Sequence, residues 1–139
     1  MVVAGFHLTQ RPPRPGPRPG LYAVKRLWDG RMIAHHFPAP VHRGAFAEIL
    51  SMPEDTGEIE LSMHYAAPSI DPPDALDLRY CEGSRQTFHL GGPSDHPFSI
   101  FVPFELYFEF PDEGVIYVWL AVDDDLVRDS CRPIVVARG

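Results

Sequence analysis

The sequence predicts an all-β fold, a single antiparallel β-sandwich, and three observations carry that expectation. Proline (16) and glycine (11) make up 27 of 139 residues, which interrupts the chain too often for long helices. Hydrophobic residues at 45% and charged residues at 22% match one globular domain spanning 1–139, with no sign of a disordered, collagenous or coiled-coil chain. Period-two alternation recurs, separated by turn chemistry roughly every 8 to 15 residues.

The elements follow in order. Val2 to Leu8 is an opening apolar segment. In residues 11–20, Arg-Pro-Pro-Arg-Pro-Gly-Pro-Arg-Pro-Gly, each proline removes a backbone donor and fixes φ. They read as a Pro/Arg-rich loop or insertion, or as an exposed docking segment with a partial P-x-x-P match at Pro12 and Pro15. Leu21 to Trp28 and Arg31 to Phe37 flank Asp29-Gly30, a strong short signal for a β-hairpin. Ala45 to Met52 is the one stretch where a short helix is expected, ended by Pro53 and the turn residues through Gly57. Ile59, Leu61, Met63 and Tyr65 alternate with Glu58, Glu60, Ser62 and His64, the pattern of a half-buried strand.

Ala66 to Asp74 reads as a surface loop, and Leu76, Leu78 and Tyr80 read as a short strand. A further strand is expected at Gln86 to Leu90, ended by Gly91-Gly92-Pro93. The clearest alternation puts Phe98, Ile100, Val102, Phe104, Leu106, Phe108 and Phe110 on the core side, with Pro103 expected to split the run into two strands. Val115 to Val122 is apolar on both faces and reads as a central strand. Asp123-Asp124-Asp125 is a tight turn, and Leu126 to Val136 holds the closing strand. Seven to nine short strands of this kind fit an immunoglobulin-like or C2-like sandwich, with a small β-barrel as the alternative.

Charge narrows the partners. Nineteen Asp and Glu against 12 Lys and Arg give −7, and the visible basic cluster, Arg11, Arg14 and Arg18, lies in the proline tract, so nucleic acid is not expected as a partner. No apolar run reaches the ~20 residues of a membrane-spanning helix, and Met1 to Leu8 is too short and lacks the basic residues of a signal peptide. The expected setting is cytoplasmic, with Cys81 and Cys131 as free buried thiols.

The run from Leu21-Tyr22 through Trp28-Asp29-Gly30, Phe37-Pro38-Ala39-Pro40, Phe46 to Pro53, Gly57 to Tyr65, Phe108 to Tyr117, Asp123-Asp124 and Arg132 to Val136 resembles a family of small uncharacterised bacterial proteins. The resemblance implies a single β-sandwich domain, and it implies no activity to transfer.

Chemical motifs are sparse. The seven histidines include the neighbours His35 and His36, which a strand would point to opposite faces, and no metal-ligand spacing accompanies them. Asp112-Glu113 and Asp123 to Asp125 could supply oxygen ligands for calcium, but aspartates at tight turns are also ordinary turn formers. There is no G-x-S-x-G motif, and Glu58/Glu60 and Glu105/Glu109 lie on the solvent parity of their strands. No metal, no cofactor and no catalytic residue are therefore expected.

Trp28, Phe37, Phe101 and Tyr107 are large apolar groups outside the core pattern, and they are the expected binding surface. The function expected is a non-enzymatic binding or assembly module that contacts a protein partner or self-associates. The alternative is a small barrel holding an apolar ligand among Tyr65, Phe98, Phe104, Trp119 and His64.

Overall fold

The computed structural model describes residues 1–18, 21–68, 70, 78–90 and 96–139. In chain order the strands are β1 (Val2–Thr9), β2 (Arg14–Pro15), β3 (Tyr22–Ala23), β4 (Arg31–Ala34), β5 (Ala39–Ser51), β6 (Gly57–Ala66), β7 (Arg79–Tyr80), β8 (Gln86–Leu90), β9 (Phe98–Phe110), β10 (Gly114–Val122), β11 (Asp125–Leu126) and β12 (Arg132–Arg138). The fold is all-β, and no helix long and apolar enough to cross a membrane occurs among the described residues.

Three sheets form. One has the order β1-β5-β9, and the larger one has the order β4-β12-β10-β6-β7, with β8 also on β6 and β11 on β10. The third is the two-residue ladder of β2 and β3. None of these closes into a barrel, so the barrel alternative does not describe this chain.

One buried cluster draws on both major sheets. Phe6 and Leu8 of β1, Val41, Ala47 and Ile49 of β5, and Val102, Phe104, Leu106 and Phe110 of β9 join Leu61 and Met63 of β6, Ile116, Val118 and Leu120 of β10, and Ile134 and Val136 of β12. These positions recur every second residue along each strand, so the pleat turns one set of side chains inward. Strand β10 lies between β12 and β6, the central place expected from its two apolar faces.

Five sequence expectations are corrected. Residues 45–51 continue β5 instead of forming a helix: Ala45, Ala47 and Ile49 are fully buried and Phe46 is covered on the opposite face. Burial on both faces removes the alternation that separates a strand from a short helix. Strand β9 runs unbroken through Pro103, because β9 is an edge strand. The Pro103 carbonyl points away from β5 and accepts from Gln86 Nε2 at 2.7 Å, so the missing N–H falls on the side that has no ladder.

Asp29-Gly30 does not close a hairpin either. Trp28 N donates to Leu8 O at 2.9 Å beside β1, whereas Val135 N donates to Gly30 O at 2.7 Å in the larger sheet. The chain changes sheets at this corner, where Gly30 has φ +83° and any Cβ would run into the Pro133 carbonyl oxygen. Strand β4 then pairs parallel to β12, so the pairing is not wholly antiparallel. A parallel neighbour needs a long connection, and the chain between β4 and β12 provides it. The closing strand begins at Arg132 rather than Leu126, since Asp125–Leu126 folds back on β10 through an Asp123-Asp124 turn with φ +50° and +66°. Of the strand expected over Leu76, Leu78 and Tyr80, residues 76–77 lie outside the described residues, and Arg79–Tyr80 pairs as β7.

Candidate functional site

Residues 11–18 of the Pro/Arg tract are folded onto the outer face of the β1-β5-β9 sheet. Its base continues from β1, where Thr9 bridges Leu27 and Gln10 N donates to Arg26 O at 3.2 Å. Further out, Arg14 pairs with Ala23 and Pro15 with Tyr22, and Gly16 N donates to Leu21 O at 2.7 Å. Thr9 Oγ1 donates to Arg11 O at 2.6 Å and holds the first bend. The tract passes so close to Gly44 of β5 that a Cβ there would sit 2.5 Å from Pro12 Cα and 2.7 Å from Arg11 O. Only glycine lets the strand and this strap approach so closely.

Between the two legs of the strap lies a cavity of about 320 Å³ lined by Arg11, Arg14, Lys25 and Arg26, together with Gln10, Pro12 and Ala23. Among the described residues no carboxylate pairs with any of these four cations. Ion pairs form elsewhere instead: Arg85 pairs with Glu60 and Asp124, and Arg138 with Asp112.

The four sequence-nominated aromatics fall at separate places, and no ring contact joins any two of them among the described residues. Phe101 is covered by its own chain, with Tyr22 of the strap stacked on one side at 5.0 Å and Phe46 at 4.8 Å. Trp28 lies under the Arg43 guanidinium at 5.1 Å and donates from Nε1 to Arg31 O at 3.0 Å. Phe37 carries the Arg138 guanidinium over its ring at 4.4 Å. Tyr107 is 62% exposed beside His42, whose Nε2 is 2.6 Å from Glu105 Oε1.

A run of apolar residues lies on the outer face of the larger sheet. Register sets Ile33 beside Ala137, Val135 between Val115 and Arg31, and Pro133 beside Tyr117, with Trp119 next along β10. Ile33 is 67% exposed and Tyr117 36%. No carboxylate occupies this face on β4, β12 or β10. Trp119 and His64 stand opposite each other on this outer side, away from the interior expected for them. Tyr65 and Phe104 line a groove of about 550 Å³ beside the free edge of β9, with Cys81 and Phe108.

Burial pushes the Cys81 thiol up to about 12, and Cys131 is also raised, chiefly by desolvation. A thiol held neutral is a poor nucleophile. Both cysteines are free, and Cys131 is exposed rather than buried because it sits in the loop before β12. Among the described residues no three His, Cys, Asp or Glu side chains group around a metal position. Asp123 Oδ1 accepts from Glu60 N at 2.9 Å, and Asp112 Oδ1 accepts from Glu113 N at 2.8 Å, so these turn carboxylates satisfy backbone donors.

Lys25 and Arg26 were not legible as partners of Arg11 and Arg14, because fourteen residues separate Arg11 from Lys25 and only the strap's fold joins them. A signal does exist: residues 1–28 hold five cations and no Asp or Glu, leaving −12 on residues 29–139. The chain matches no protein-family model, no curated protein and no solved structure.

Proposed function

We propose that this protein is a non-enzymatic assembly module, a β-sandwich of two facing sheets that pairs with a second copy of itself through the outer face of the larger sheet. The observation that carries the proposal is the carboxylate-free apolar face made by Ile33, Val115, Tyr117, Pro133, Val135 and Ala137 on three adjacent strands. Exposed apolar faces of this kind mark interfaces. A second copy is the favoured occupant because the chain carries −7, so most contacts between two copies would oppose like charges, whereas an isologous pairing of this face brings no carboxylates together.

Sedimentation velocity over a range of protein concentrations tests the proposal. The wild type is expected to dimerise and Ile33→Glu to sediment as a folded monomer, because Ile33 is 67% exposed and its replacement leaves the core intact. A wild type that remains monomeric at every concentration, or an Ile33→Glu dimer, overturns it.

A further inference from the structure

Arg11, Arg14, Lys25 and Arg26 come from the two sides of the strap and meet around one cavity of about 320 Å³. We propose that this cavity binds a small phosphomonoester or inorganic phosphate. The inference is independent of self-association, since the apolar face lies on the other sheet.

Four features of the site favour such an anion. First, the cations have no counter-charge among the described residues, although the chain has 19 carboxylates, and mutual repulsion of unpaired cations is relieved by a bound anion. Second, three of the four are arginines, whose planar forks match phosphate oxygens two at a time. Third, the backbone that carries these side chains is held before ligand arrives: Thr9 Oγ1 holds Arg11 O, Gln10 N holds Arg26 O, and Arg14 and Ala23 share a ladder. The ordering cost of binding then falls on the exposed side chains and not on the chain path. Fourth, the volume lies at the lower end of small-molecule sites, and Pro12 and Ala23 give the cavity an apolar wall.

A long polyanion fits less well. Nucleic acid would leave the strap and run over a body carrying −12, where phosphates meet carboxylates instead of releasing counterions.

Calorimetric titration at low ionic strength tests the site with four probes: sodium phosphate, sodium chloride at matched ionic strength, single-stranded oligothymidylate, and vesicles with and without phosphatidic acid. Phosphate is expected to bind saturably and raise the thermal midpoint, while chloride does neither. Arg14→Gln combined with Lys25→Gln should weaken phosphate binding about tenfold or more, through loss of charge-assisted hydrogen bonds. Arg26→Gln is the second variant should the double one fold poorly.

Binding to phosphatidic acid vesicles with weaker binding of free phosphate supports the site and assigns a lipid headgroup as the source. Preference for free phosphate assigns a soluble phosphomonoester. Phosphate heat that chloride reproduces, undiminished phosphate binding in both variants, or tighter binding of oligothymidylate than of phosphate overturns the proposal.

Discussion

Substituting Gly44 tests how the strap is held. In Gly44→Ala the new methyl would lie 2.5 Å from Pro12 Cα and from Thr9 Oγ1, and 2.7 Å from Arg11 O. Ordinary contacts of this type are about 3.5–4.0 Å, so a gap of about 1 Å must open. Pro12 Cα and Arg11 O are backbone atoms in a stretch where proline fixes φ, and no side-chain rotation relieves them. Keeping the strap in place is an overpacking defect of about 1–3 kcal/mol. Releasing it instead forfeits the Tyr22–Phe101 stack, about 0.5–1.5 kcal/mol, and the Thr9–Arg11 hydrogen bond, about 1 kcal/mol.

Either route costs about 2 kcal/mol. For a chain of 139 residues that corresponds to a fall of roughly 8 °C in thermal midpoint. Urea unfolding reads the stability loss from a lower midpoint with little change in slope. Hydrogen exchange tells the routes apart: the Gly16 amide, which donates to Leu21 O, and the Gln10 amide, which donates to Arg26 O, should exchange faster if the strap lifts. A Gly44→Ala variant within about 0.5 kcal/mol of wild type, with strap amides still protected, would refute the close-approach argument.

Two further outcomes are expected. Ser130 Oγ accepts from Leu120 N at 3.1 Å and donates to Val127 O at 2.7 Å in a buried position, so Ser130→Ala strands the Leu120 amide and should destabilise by about 1–3 kcal/mol in urea unfolding, whereas a neutral change would show that another acceptor reaches it. Asp112 is held below the usual 3.8, first by its hydrogen bond from Arg138 and then by the Glu113 amide, so its folded pKa is depressed. The stability it contributes is present above pH 3.8 and is lost as pH falls through the lower folded value. The difference in stability between wild type and Arg138→Gln should therefore narrow as pH drops below 4, and a constant gap from neutral to acid pH would count against this pair.

Much of the architecture was legible because burial leaves a period of two. The alternation at Ile59 to Tyr65 and at Phe98 to Phe110 marked β6 and β9, and the two-faced run at Val115 to Val122 marked the central β10. Legibility failed where the second face of a strand was also covered. Ala45 to Met52 looked helical because Phe46, on the outer face, is covered by the His7 and Phe101 rings, so apolar residues fall on both parities. Phe101 looked like open surface for the converse reason: its cover, Tyr22, arrives from a segment almost eighty residues away in sequence. Gly44 did carry a hint, since glycine inside an apolar strand marks a close neighbour, but the neighbour's identity is not local information.

By itself, then, the sequence determined that the chain builds strands, where most of them lie, that its body is acidic and that its tract of prolines cannot be helix. These are consequences of backbone sterics, side-chain periodicity and charge, all of which act between near neighbours in the chain. Only the tertiary structure decided that Asp29-Gly30 is a passage between sheets, that β4 lies parallel to β12, and that Arg11, Arg14, Lys25 and Arg26 surround one cavity. Those outcomes depend on which sheet edge is free to accept hydrogen bonds and on which outer face is left to be covered, and both are fixed only once all the strands have packed.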